Sequence, residues 1–72
     1  MAQIRQRTLS EKVASAIHIL EDRKRGLYGT TEKAFYRMNV ASRDTRCEEA
    51  EALLDVLKSV GVKLEITNNF PV

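Results

Sequence analysis

The chain has 72 residues, 12 Lys and Arg against 10 Asp and Glu for a net charge of +2, and 43% apolar residues. That length makes one small domain, residues 1–72, with a thin core that invites help from a partner. With a single cysteine, Cys47, no internal disulfide forms, and no Cys or His pair stands at metal-ligand spacing, so no cofactor or metal is expected and the compartment reads as reducing.

No apolar run approaches the roughly 20 residues of a membrane span. The opening "MAQIRQRTLSEK" lacks the apolar core of a signal peptide, so the expectation is a cytoplasmic protein with no membrane partner. The charges are unevenly spread. Residues 1–46 hold ten cations against five acids, and residues 47–72 hold two against five, which gives +5 and −3. A basic half is the footprint of an anion-binding surface, and it is also an asymmetry that small soluble proteins show by chance.

The first predicted element is a helix from about Leu9 to Arg25. Thr8 and Glu11 fit a capping box, Leu9, Val13, Ala16, Ile17 and Leu20 fall on one stripe, and Gly26 is placed to end it. Ser15, His18 and Asp22 lie off that stripe and are assigned to solvent, since catalysis would need a serine held at the base's free nitrogen in a water-excluding pocket. Ile19 points away from the stripe and marks a second contact.

"GLYG" at 26–29 is a turn signal, with Tyr28 as the anchor of the loop. Thr30 or Thr31 then caps a short helix running to about Met38, with Ala34, Phe35 and Met38 inward and Lys33, Tyr36 and Arg37 outward. Such a helix is either a solvated face or the reading element of a nucleic-acid binder, with donors for phosphates and guanine edges.

Thr45 with Glu48 repeats the capping-box signal and predicts a strong helix to about Val60. Its apolar residues Cys47, Ala50, Leu53, Leu54, Val56, Leu57 and Val60 spread over nearly half the circumference, which suits a central helix or a dimer helix. Cys47 reads as core filling rather than as a reactive thiol. Arg43 and Arg46 precede or open this helix.

After Gly61 the alternation of Val62, Leu64 and Ile66 with Lys63, Glu65 and Thr67 predicts a half-buried strand. A lone strand is unstable, so its partner is either the weakly alternating N-terminal segment 2–8 or a second chain. Phe70 is expected to fold back on the core. The fold class read from these elements is α+β, mostly helical: three helices with a short C-terminal strand, in a homodimer.

"GTTEKAFYRMN" followed by "EALLDVLKSVGVKLEI" resembles the end of the Cro/C1-type helix-turn-helix in antidote and repressor proteins of addiction modules. Gly29, Tyr36 and Arg37 carry the first part of the likeness, and Leu53, Leu54, Val56, Leu57, Gly61, Val62 and Leu64 carry the second, over a little more than half the chain. An N-terminal strand with Arg5 and Arg7 ahead of helices is also similar to ribbon-helix-helix repressors, whose paired strands enter the major groove.

The expected function is a small DNA-binding transcriptional regulator, repressor-like, of phage, plasmid or toxin–antitoxin type. Thr31, Lys33, Tyr36 and Arg37 are its candidate reading residues on double-stranded DNA, and Arg23, Lys24, Arg25, Arg43 and Arg46 its phosphate contacts. The alternative is a small protein-binding inhibitor or adaptor with no catalytic activity. An enzyme is the least expected class, because paired carboxylates in an apolar setting and a phosphate-cradling glycine loop are both missing from the sequence. The two binding readings differ in one respect: nucleic acid requires the cations to converge, while a protein partner requires exposed apolar residues such as Ile19, Tyr28 or Phe70 to cluster.

Overall fold

The computed structural model describes residues 7–66. Three helices follow in order, α1 Leu9–Lys24, α2 Glu32–Tyr36 and α3 Val40–Ser59. α1 packs mainly on α3 and also against α2.

Each helix start has a chemical cause. The Thr8 hydroxyl accepts from the Glu11 backbone N–H at 3.2 Å, and the Glu11 carboxylate accepts from the Thr8 N–H at 2.9 Å, completing the capping box. Thr31 accepts from the Ala34 N–H at 3.2 Å and caps α2. The Asn39 side chain accepts from the Ser42 N–H at 2.9 Å and caps α3 six residues before Thr45. Thr45 is therefore an interior residue, its hydroxyl donating back to the Ala41 carbonyl at 3.1 Å.

The two long helices end alike. Gly26 and Gly61 both take φ of 85°. The next residue then donates back to a last-turn carbonyl, Leu27 to Asp22 and Val62 to Leu57, each at 2.8 Å. This is the Schellman ending, and a glycine supplies its left-handed residue without steric cost.

The core is small. Among the described residues Ala14, Phe35 and Ala50 are the buried apolar ones, with Val13, Ile17, Tyr36, Met38 and Cys47 packed around them. Two alanines at the α1–α3 contact keep side-chain bulk low there, and Phe35 fills the space beside them. Its ring lies 5.7 Å from that of His18 and 5.3 Å from that of Tyr36.

Two expectations are overturned. The α+β class fails, because the described residues are helical with no strand among them, and residues 62–66 run on without ladder pairing despite their alternation. Alternation describes which side chains could share a face, whereas a strand also needs a neighbour to take its backbone hydrogen bonds. The N-terminal partner strand at 2–8 and Phe70 lie largely or wholly outside the described residues. The second correction concerns α1: Ser15 and Asp22 are buried, while Ala16 and Leu20 of the supposed inner stripe are exposed. Burial of Ser15 and Asp22 is possible because both find hydrogen-bond partners, as the next section details.

Candidate nucleic-acid interface

The nine residues nominated from the sequence divide into three groups. Thr31 and Tyr36 are committed to holding α2. The Thr31 hydroxyl serves as the helix cap. Tyr36 is half-buried with the Arg7 guanidinium 3.9 Å above its ring, and its hydroxyl donates to Glu32 Oε2 at 3.4 Å. Burial first and the Glu32 charge second push the Tyr36 phenol above its ordinary pKa. The outward placement expected for Tyr36 is thus replaced by a position between Arg7 and Phe35.

Glu32 is the centre of this lock. Lys12 Nζ donates to both its oxygens, at 2.8 and 3.1 Å. Ser15 Oγ lies 3.4 Å from Glu32 Oε2 while donating to the Lys12 carbonyl at 2.7 Å. The hydrogen bond from Lys12 chiefly holds the Glu32 carboxyl below the usual carboxylate range, against a smaller opposing effect of burial.

Arg43 and Arg46 form the second group, on the early turns of α3. Both are half-buried: Arg43 Nε is buried without a partner among the described residues, and Arg46 keeps 19% of its side chain exposed and bonds Glu49 at 2.9 Å. Exposed instead on these turns are Val40, Ala41, Asp44 and Thr45, none of them a cation.

The third group is exposed. Arg23, Lys24 and Arg25 crowd the end of α1, with Arg25 as its C-cap, and Lys33 on α2 stands about one turn from Arg37, the C-cap of α2. Lys24 reaches Glu21 at 3.4 Å and Arg25 reaches Asp22 at 3.9 Å, with about two-thirds of each basic side chain in solvent. Arg23, Lys33 and Arg37 make no ion pair among the described residues. The connecting loop is tied down by the Thr30 hydroxyl, which donates to the buried carboxylate of Asp22.

Two features were only partly legible in the sequence. Tyr28, read as a loop anchor and also among the residues that could be exposed to a protein partner, is 75% exposed beside Leu27, among the cations of the α1 end. α3 turns Leu53, Val56 and Val60 to solvent at 40%, 58% and 68% exposure. The wide apolar face was the available signal for the second, but periodicity cannot say which part of a wide face is covered.

The Ser15, His18, Asp22 series does not form a relay. His18 Nε2 stands 3.8 Å from Asp22, its Nδ1 is buried without a partner among the described residues, and the serine proton goes to the Lys12 carbonyl. Cys47 is half-buried, and burial first, then Glu11 and other acids, raises its thiol pKa. Among the described residues no cluster of three metal-ligating side chains occurs, and no described helix is long and apolar enough to cross a membrane. Comparison with protein-family models, curated proteins and solved structures finds no match.

Proposed function

We propose that the chain is a small DNA-binding regulator whose contact surface is the exposed basic rim of Arg23, Lys24, Arg25, Lys33 and Arg37. The observation that carries this reading is that five cations stay in solvent around one anchored loop, three of them without an ion pair among the described residues, while the remaining nominated cations are half-buried. Cations left free by the protein's own acids are the ones available to replace phosphate counterions. Lys33 on α2 and Arg37 at its C-cap supply groove contacts in this reading, and the α1 end supplies phosphate contacts.

The protein-binding inhibitor or adaptor is the second reading, and the exposed Leu53, Val56 and Val60 favour it. Fluorescence anisotropy of a labelled generic duplex at about 50 and 200 mM salt separates the two. Micromolar binding that collapses with salt, with Lys24→Ala reducing the salt slope by about one, supports the DNA reading. Absence of binding at the lower salt overturns it in favour of the protein partner.

A further inference from the structure

We propose that Tyr28 is a stacking platform for an unpaired base of a DNA strand whose phosphates are held by the surrounding cations. The platform rests on the basic rim of the DNA reading and adds a base contact to it. Tyr28 is 75% exposed and makes no hydrogen bond or ring contact among the described residues. The chain's other tyrosine is occupied, since Tyr36 has Arg7 over its ring and the Phe35 ring edge-on to it.

An exposed aromatic is ordinary by itself. What sets Tyr28 apart is its support. The loop that carries it is tied to Asp22 on both sides of the ring: the Leu27 N–H donates to the Asp22 carbonyl at 2.8 Å, and the Thr30 hydroxyl donates to the Asp22 carboxylate. Gly26, with φ of 85°, makes the turn that permits the first of these bonds. A residue between two such ties loses little further backbone freedom when a ligand settles on it. Leu27, 54% exposed, widens the apolar surface beside the ring.

The charges around the loop identify what it takes. Chain length keeps the Tyr28 Cα within about 11 Å of that of Arg25 and about 18 Å of that of Lys33. The acids of these turns are engaged, Glu21 by Lys24 at 3.4 Å, Asp22 by Thr30 and Arg25, and Glu32 by Lys12 at 2.8 Å. A ring with a free face among cations offers both things that a single strand needs, charge for its backbone and a π-face for a base. A base inside a duplex is stacked between its neighbours, so the ring takes one from an opened or single-stranded segment. A lipid surface asks for a broader apolar face than these two loop residues supply.

The test titrates the whole chain into labelled strands of about twelve thymidines, into the same sugar–phosphate backbone without bases, and into a duplex. The thymidine strand should bind about tenfold more tightly than the abasic one. Tyr28→Ala should abolish that preference without changing abasic affinity or its salt slope, and Tyr28→Phe should keep it. Lys24→Ala should weaken binding to all three. An unchanged circular dichroism melt confirms that each variant folds. Equal binding of the two strands by the parent, or a preference that survives Tyr28→Ala, overturns the platform. Salt-sensitive duplex binding beside either of those results leaves the regulator reading standing, whereas base-dependent strand binding with none to the duplex keeps the platform and removes the duplex regulator. Absence of all binding at about 50 mM salt overturns both. Tyr28-dependent binding to phosphatidylserine vesicles with no base preference also overturns the platform, since it would assign the ring to a membrane surface.

Discussion

The Thr30 hydroxyl donates to Asp22 in the last turns of α1, where the carboxylate is buried and flanked by His18 at 3.8 Å and Arg25 at 3.9 Å. An acid near a helix C-terminus faces the negative end of the helix dipole, so these partners offset an otherwise unfavourable placement. Asp22→Ala should cost about 1–3 kcal/mol by leaving the Thr30 hydroxyl and its neighbours unpaired. For a domain of this size that lowers Tm by roughly 4–8 °C per kcal/mol. Asp22→Asn, which keeps an acceptor, should recover a good part of the loss. A thermal melt of Asp22→Ala that matches the parent would show that the tie carries no stability.

The Lys12–Glu32 pair gives a pH dependence with a definite sign. Glu32 has its pKa lowered in the folded chain, chiefly by the hydrogen bond from Lys12. The folded state therefore binds that proton less readily than the unfolded chain does. The pair's stabilisation is present above the unfolded value, near 4.5, and is lost as pH falls through the lower folded value. Both side chains are 41% exposed, which limits the contribution to the surface-pair range of about 0–1 kcal/mol. Urea titrations should find Glu32→Gln less stable than the parent at pH 7, with the gap closing towards pH 3. A gap that widens on acidification would contradict the assignment.

The short-range signals in the sequence were legible and the tertiary ones were not. Thr8 with Glu11 and the stops at Gly26 and Gly61 are local chemistry, and they appear where the residues predict them. Thr45 with Glu48 has the same pattern as Thr8 with Glu11, yet the helix runs through it because Asn39 offers an earlier cap. Ser15 and Asp22 looked solvent-facing because periodicity assigns polar residues outward, while their burial also depends on Glu32 and Thr30, groups beyond α1 that a helical wheel does not contain. The basic half was visible as composition, but the split between Arg37 in solvent and Arg46 bonded to Glu49 depends on packing.

The two threonine and asparagine positions at α3 can be separated experimentally. Asn39→Ala removes the acceptor of the Ser42 N–H and should cost about 0.5–2 kcal/mol. Thr45→Ala removes only a hydroxyl bonded back to Ala41 within the helix and should be neutral or slightly stabilising, since alanine is the better helix former. Chemical denaturation of both variants decides the matter. The reverse order would put the start of α3 at Thr45.

Cys47 should behave as a structural thiol. Burial and nearby acids raise its pKa, so little thiolate exists at neutral pH. Labelling by a disulfide reagent at pH 7.5 should be at least several-fold slower for the folded chain than for the chain in urea, at equal reagent concentration. Equal rates would mean that the α1–α3 contact opens faster than the thiol reacts.

Phe35 is the largest fully buried side chain, and its ring touches both His18 and Tyr36. Truncating a buried Phe costs about 3–5 kcal/mol. A single small core seldom supplies more than about that amount, so Phe35→Ala should abolish the cooperative thermal transition, whereas Phe35→Leu should melt cooperatively at a lower temperature. If Phe35→Ala alone keeps a parent-like melt, the stabilising contacts lie elsewhere than in the Ala14, Phe35 and Ala50 cluster, and the exposed apolar stripes of α1 and α3 become the surfaces to examine for them.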